Sequence, residues 1–246
     1  MKNKKNIVFG IHAVTEAVKS DKGFEKILIK KSKDSALQKE LLFLLRKSRI
    51  PYQFVPIQKL NGITGKNHQG VIAYLSEIKY YRAEDIIPFI YDRGKIPFLM
   101  ILDGVTDVRN FGAIARTAEC AGVDAIIIPA KGSAQINADA IKTSAGALHK
   151  IPVCRSFNME STIEFLKASG LKLVAATEKG TGFYDETDYT GPVAIISGAE
   201  DRGISKSILK QCDQKVKIPL AGEIDSLNVS VATAVFAYEV VRQRRK

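Results

Sequence analysis

Between residues 96 and 246, short apolar runs alternate with helix-forming segments. That alternation constrains the fold more than any other feature of the chain. Ala125-Ile126-Ile127-Ile128 has no polar position, so a strand there is covered on both faces. Strands of that kind belong to a parallel sheet layered between helices. The pattern predicts strands at 98–102, 125–128, 151–154, 172–176, 193–197 and 215–218. Helices are expected at 111–121, 138–144, 161–169, 205–210 and 227–242. The last helix carries Val229, Val231, Ala232, Ala234, Val235, Phe236, Ala237, Val240 and Val241. Apolar nearly all round, it is expected to be buried on most sides, in the core or against a second subunit.

Residues 1–78 read as a separate, smaller α/β unit. A helix is expected at 12–18, and a second at 35–48, where Leu37, Leu41, Leu44 and Leu45 keep helical spacing. Strands are expected at 26–29, 52–55 and 71–75. Lysines and arginines are dense here, Lys30, Lys31, Lys33, Lys59 and Lys66 among them. Many belong to solvated helix faces. The polar, glycine-flanked loop at 64–70 is different, because it offers Lys66, Asn67, His68 and Gln69 to a phosphate backbone or to base edges. Residues 79–95, with Tyr80-Tyr81-Arg82 and Pro88, read as a linker holding one short helix. The reading is thus two domains, 1–78 and 96–246, joined by 79–95, in a chain of 246 residues.

Charge narrows the partners. Lys plus Arg is 37 and Asp plus Glu is 26, a net charge of +11, which points to a polyanion, with RNA or DNA foremost. Cys120, Cys154 and Cys212 have no metal-ligand or paired spacing, and read as small buried hydrophobes in a reducing compartment. His12, His68 and His149 are scattered, so no metal is expected. The basic start, Met1-Lys2-Asn3-Lys4-Lys5-Asn6, leads into no long apolar stretch, and no run reaches the roughly 20 residues of a membrane span. A cytoplasmic protein is expected.

Three loops follow strand ends, where open α/β sheets bind ligands. In the first, Asn110 stands as a helix N-cap, and Arg116 lies four residues beyond Gly112 among small residues. The second, Gly198-Ala199-Glu200-Asp201-Arg202-Gly203, opens a buried strand into a turn whose glycines suit close approach of a ligand. It is no phosphate loop, since G-x-x-x-x-G-K-[ST] is absent from the chain. The third runs from Ile218 through Leu220, Ser226 and Leu227 to Asn228, delivering polar side chains and free amides to a helix start. The turn at Thr177 is expected to line the same cavity. Ser226 and Asn228 are also ordinary caps, and Glu200 an ordinary turn acid, when each is taken alone.

Taken together, Asn110-x-Gly112-x-x-x-Arg116, Gly198-x-Glu200-x-x-Gly203, and Ile218-Pro219-x-x-Gly222 with Ser226-Leu227-Asn228-Val229-Ser230 resemble the three motifs of the SpoU (TrmH) family of RNA 2′-O-ribose methyltransferases, of the SPOUT class. Phe9-Gly10-Ile11-His12 and Gly65-Lys66-Asn67-His68-Gln69-Gly70 resemble that family's substrate-binding domain, which has a small ribosomal-protein-like fold. The layout is closest to the 23S rRNA guanosine-2′-O-methyltransferase branch. Leu220 stands where many members have Met. The resemblance implies a deep trefoil knot in the C-terminal parallel-sheet domain, S-adenosylmethionine bound within it, and a homodimer with the active site at the interface. It assigns the cofactor to Thr177, Gly198, Gly203, Ile218, Leu220, Ser226 and Leu227, and catalysis to Arg116, Asn110, Glu200, Ser226 and Asn228. A guanidinium does not readily give up its proton, so Arg116 is expected to stabilise the developing alkoxide and grip a phosphate rather than act as a base. Two alternatives stay open: a tRNA ribose methyltransferase of the same family, and a catalytically silent RNA-binding or assembly factor.

Overall fold

The computed structural model describes residues 6–20, 22–31 and 35–245. The basic start at 1–5, Lys33 and Lys246 lie outside the described residues. The chain divides into two compact units, Met1–Lys79 and Tyr80–Lys246.

The first unit holds β1 (Ile7–Phe9), α1 (Ile11–Lys19), β2 (Phe24–Lys30), α2 (Ala36–Lys47), β3 (Tyr52–Val55), α3 (Ile57–Asn61) and β4 (Val71–Leu75). Its sheet runs β1-β4-β2-β3, with only the β2–β3 pair parallel. The helix read from the leucines is present, although Leu37 is 42% exposed: Leu41, Leu42 and Leu45 of α2 meet Val14, Ala17 and Val18 of α1 over Ile27, Ile29 and Ala73 of the sheet. Leu60 of α3 closes a smaller core with Leu28, Val55 and Ile72. Ser35 caps α2 by accepting from the Gln38 amide at 3.2 Å.

The second unit begins earlier than the linker reading allowed. Residues 80–92 form β5 (Tyr80–Tyr81) and α4 (Ala83–Asp92), both integral to it. The β5 strand pairs in parallel with a later strand, and the Arg155 guanidinium lies 3.4 Å over the Tyr80 ring. Ala83, Ile87 and Ile90 of α4 enter the main core. The helix continues through Pro88, six positions in, where the lost amide bond is tolerated because the opposite face is packed.

There follow β6 (Phe98–Asp103), α5 (Val108–Cys120), β7 (Ala125–Pro129), α6 (Ala138–Thr143), a 3₁₀ turn (Ala147–His149), β8 (Val153–Ser156), α7 (Met159–Ala168) and β9 (Lys172–Ala176). Then come β10 (Gly182–Phe183), a 3₁₀ turn (Tyr184–Glu186), β11 (Val193–Gly198), α8 (Lys206–Leu209), β12 (Gln214–Lys217) and α9 (Val229–Arg244). All eight strands pair in parallel, in the order β10-β12-β9-β11-β6-β7-β8-β5. The chain lays β6, β7 and β8 outward in one direction, then returns to the other side. There β11 enters between β6 and the earlier β9, and β12 between β9 and β10. Leu99, Met100, Ile101, Ala194, Ile195 and Ile196 are fully buried, as apolar strands under two layers of helix must be.

Helix α9 is less enclosed than its composition suggests. Val229, Thr233, Phe236, Ala237 and Val240 are buried, whereas Val231 is 50% and Tyr238 51% exposed. Seven residues apart, these two share one open face. Its far end is held by Arg244, whose guanidinium donates to the carbonyl oxygens of Tyr189 (3.0 Å), Ile96 (3.0 Å), Pro97 (3.2 Å) and Gly191 (2.6 Å). Next to it, Gln243 donates to the Thr187 carbonyl and accepts from the Tyr189 amide. The Tyr189 ring is fully buried, and burial pushes its hydroxyl pKa up to about 12. The cysteines differ from expectation in one case: Cys154 is buried and its thiol pushed up to about 12, Cys212 is half-buried, but Cys120 is exposed.

Candidate active site

A cavity of about 350 Å³ opens beyond the carboxyl ends of β9, β11 and β12, the place where open parallel sheets bind ligands. Every residue expected to hold the cofactor lines it: Thr177, Gly198, Gly203, Ile218, Leu220, Ser226 and Leu227. Its floor is pinned by a buried hydroxyl pair. Thr233 of α9 donates to the Val229 carbonyl at 2.7 Å, and so accepts from Ser197 of β11 at 2.9 Å.

Asn228 ties the three loops together. Its side-chain oxygen caps α9, accepting from the Ser230 amide at 3.0 Å and the Ser230 hydroxyl at 2.6 Å. That fixes the orientation of the amide, and its nitrogen donates to Asn110 Oδ1 at 3.1 Å and to Glu200 Oε1 at 2.8 Å. Capping and bridging are therefore one arrangement. Glu200 Oε2 and Asn110 Nδ2 make no hydrogen bond among the described residues. Asp103 Oδ2 makes a second tie between the first two loops, accepting from the Ser205 amide at 2.7 Å.

One expectation changes. The N-cap of α5 is Asp107, which accepts from the Asn110 amide at 2.8 Å; Asn110 sits inside the first turn, so its side chain is free to bridge. Both residues are good caps, and the helix starts at the earlier one. The glycine at 198 serves the chain itself: a Cβ there would come within 2.2 Å of the Gly203 carbonyl carbon, where Ala199 and Gly203 form a tight bridge. Gly112 likewise lets α6 approach, since a Cβ would meet Thr143 at 2.7 Å. Ser226 lines the cavity but caps nothing.

Arg116 is not brought to the cluster. It follows Asn110 by six residues, a rise of about 9 Å along α5, and does not line the cavity. It is exposed and shares a stripe with Arg109 and Cys120. The composition of the cavity wall argues for its ligand class. Glu178, Glu200 and Asp225 face one cation, Lys217, among apolar walls from Leu220, Leu227 and Phe236. A cationic, partly apolar ligand fits that wall and a phosphate-bearing one does not.

In the first unit, the loop expected to touch RNA is built inward as well as outward. His68, 8% exposed, accepts from the Gly70 amide at Nδ1 (3.0 Å), so its proton sits on Nε2 and is donated to Asn61 Oδ1 (2.9 Å). Gln69 Oε1 accepts from the Ile11 amide at 3.2 Å, and Asn67 Oδ1 from the Gln69 amide at 3.3 Å. Lys66 remains exposed, 5.9 Å from the Phe9 ring centre. His68 is thus a scaffold of the loop, whereas Lys66 faces solvent. Among the described residues no group of three or more His, Cys, Asp or Glu side chains is placed to hold a metal ion, and no helix is long and apolar enough to cross a membrane.

With this geometry, comparison with known proteins is decisive. Residues 97–238 match the model of the SpoU rRNA methylase family, and residues 7–81 that of the RNA 2′-O ribose methyltransferase substrate-binding domain. The chain belongs to the SpoU methylase family. A putative TrmH family tRNA/rRNA methyltransferase of Staphylococcus saprophyticus is 37% identical over 238 residues, covering 97% of this chain and 96% of the relative. The 23S rRNA (guanosine-2′-O-)-methyltransferase RlmB of Yersinia pestis is 37% identical over 240 residues, covering 97% of each. Among solved structures, an AdoMet-bound rRNA methyltransferase from Sinorhizobium meliloti superposes with a TM-score of 0.62 at 25% identity, covering 96% of this chain and 86% of that one. The SpoU cavity and its three loops therefore lie within the matched region, and the 64–70 loop within the matched substrate-binding domain.

Proposed function

We propose that this SpoU protein moves a methyl group from S-adenosylmethionine to a ribose 2′-hydroxyl of RNA, a guanosine of 23S rRNA. The observation that carries the reading is Asn228, which joins Asn110 and Glu200 by hydrogen bonds at a cavity whose wall suits a sulfonium cation. Bound there, the cofactor supplies an electrophilic methyl group. Thr177, Gly198, Gly203, Ile218, Leu220, Ser226 and Leu227 hold it, by backbone groups and apolar contact.

The rest falls to the chain's own residues. Alignment of donor and acceptor supplies much of the acceleration. Glu200 Oε2, not used by Asn228, accepts from the acceptor ribose, and Asn110 Nδ2 donates to it. Arg116 stabilises the alkoxide as it develops and grips a neighbouring phosphate, remaining protonated throughout, while the hydroxyl proton leaves along the Glu200 Oε2 hydrogen bond to solvent. It reaches the site in a homodimer. This is supported by its position on an exposed stripe of α5, and by the uncovered Val231–Tyr238 face of α9, the helix packed against α5. The C-terminal domain is read as a deep trefoil knot. In support, β11 enters between two earlier strands and Arg244 clasps the segments at 96–97 and 189–191. Residues 1–79 act as the substrate-binding domain, with Lys66, Asn67 and Gln69 toward RNA and His68 behind them. The reaction is placed in the cytoplasm.

The test is methyl transfer from labelled S-adenosylmethionine to unmodified large-subunit rRNA and, separately, to bulk tRNA, with Arg116→Ala as control. Label in rRNA that makes one linkage resistant to alkali, and is absent with the variant, supports the proposal. Label only in tRNA keeps the chemistry and replaces the substrate. Cofactor binding without transfer to either RNA overturns the activity on free RNA, and absence of cofactor binding overturns the enzyme.

A further inference from the structure

The first unit contains a second cavity, of about 620 Å³, bordered by Lys30, Asn61, Lys66, Asn67 and Gln69. Its volume lies within the roughly 300–1,000 Å³ of small-ligand sites, far too small for a duplex. Asn61 Oδ1 is occupied by the His68 Nε2 proton, and Asn61 Nδ2, on an exposed residue, has no hydrogen bond among the described residues. Gln69 Oε1 is occupied by the Ile11 amide, and Gln69 Nε2, on an exposed residue, has no hydrogen bond among the described residues. The Asn67 oxygen is occupied by the Gln69 amide. Lys30 and Lys66 have no acidic partner among the described residues. The loop spends its acceptors internally and presents donors.

Three features hold this arrangement. Gln69 adopts φ 50° and Gly70 φ 81°, in the left-handed region, and Gly10 takes φ 91° where the loop meets α1. A Cβ at Gly10 would lie 3.4 Å from Gln69 Oε1 and one at Gly70 3.2 Å from Lys30 Cβ. A non-glycine residue held at positive φ by its own side-chain bond marks a loop kept in shape for use.

From this count of donors we infer that the cavity takes one unpaired nucleotide of the RNA substrate, an extruded or bulged one. Its phosphate is held by Lys30 and Lys66, and its base acceptors by the Asn61 and Gln69 amide nitrogens. Paired bases hide those edges in a deep groove, while an unstacked base exposes them. The inference rests on the proposed action on RNA and specifies which RNA feature the first unit reads.

The experiment is fluorescence anisotropy of the full chain with a labelled RNA hairpin carrying a single-nucleotide bulge and with its fully paired counterpart. The bulged RNA is expected to bind at least about fivefold more tightly. Gln69→Glu keeps the acceptor for the Ile11 amide but turns the unbonded donor into a charged acceptor, and should weaken bulged-RNA binding about tenfold. Lys47→Gln, on the exposed end of α2, makes the same change in net charge and should cost less than about twofold. Should Gln69→Glu lose its fold by circular dichroism, Lys30→Gln takes its place with the same expectation. Equal losses in variant and control, or equal affinity for paired RNA, overturn the inference. So does displacement of the RNA by millimolar guanosine monophosphate or inorganic phosphate as readily as by unlabelled bulged RNA, which would make a free small anion the ligand. Methyl transfer measured on the same preparations separates the two claims. Transfer without the bulge preference removes this inference alone, and the preference without transfer removes the proposed enzyme and leaves the cavity.

Discussion

The loop at 64–70 and the segment from Leu220 to Asn228 are both polar, exposed connections beside a cavity, yet they are built in opposite ways. The first is wired to its own unit through His68, Asn67 and Gln69. Every residue from Leu220 to Asn228 is exposed, and the segment is anchored at its last residue alone, where Asn228 caps α9 and bridges to the other loops. A loop that spends its polar atoms on itself has one shape and selects ligands by it. A loop held at one end can close over a ligand and open again.

The sharpest way to break this comparison is at that anchor. Asn228→Ala removes the cap and the bridge together, and is expected to lower methyl transfer by about 10²-fold or more through misplacement of Glu200 and Asn110. The thermal midpoint should fall only by the equivalent of about 1 kcal/mol for a lost cap. Asn228→Asp retains the capping oxygen but sets a carboxylate against Glu200, so it should match the activity loss with less loss of stability. An Asn228→Asp enzyme of near-normal rate would show that capping is all Asn228 does.

Gly198→Ala tests whether the second loop is shaped by the chain or by the ligand. With a Cβ 2.2 Å from the Gly203 backbone, overpacking should cost about 1–3 kcal/mol in denaturant unfolding, even without cofactor. In the first unit, His68→Ala should destabilise by about 1–2 kcal/mol by stranding the Gly70 amide and Asn61 oxygen. Lys66→Ala should leave stability unchanged while reducing the salt slope of RNA binding by about 1. If the two variants exchanged these phenotypes, the wired-loop picture would fail.

Beneath the 220–228 segment, Ser197→Ala should cost about 1 kcal/mol, and the Ser197→Ala/Thr233→Val double variant less than the sum of the singles, read from a double-mutant cycle. The smallest effect is acid sensitivity at the end of α9. Hydrogen bonding from Arg242 holds the Glu239 carboxyl below its usual value of 4.5. Its stabilising contribution is thus full above that value and lost as pH falls through the lower folded-state value. Glu239→Gln should flatten the acid limb of a stability-against-pH curve by lowering stability at neutral pH toward its acid value.

The parts legible in the sequence were those governed by local chemistry. The uninterrupted apolar run at 125–128 gave its strand, and the leucine spacing in 36–47 its helix. The residues that loop position and resemblance assign to the cofactor do line one cavity. The rest depended on contacts between distant residues. Nothing local distinguishes Asp107 from Asn110 as the cap, and which of them bridges is set by Asn228, 118 residues beyond Asn110. Tyr80-Tyr81 looks like linker because its strand exists through β8 and the Arg155 guanidinium. His68 looks like an RNA contact because a buried imidazole and an exposed one have the same letter; its partners Asn61 and Gly70 decide. Arg116 lies about 9 Å beyond Asn110 along α5 and off the cavity wall of its own chain, a placement that spacing along one sequence does not reveal.

The clasp at Arg244 also orders events during synthesis. The cavity floor at Ser197 is covered by a helix translated well after it, and that helix is fastened by a residue that must reach back to carbonyls at 96–97 and 189–191. While the ribosome still holds residue 244, the sheet can form, but the pocket has no lid and its walls no tether. Ligand competence in this chain therefore arrives in one late step after the clasp has left the exit tunnel, rather than growing with the length of the nascent protein.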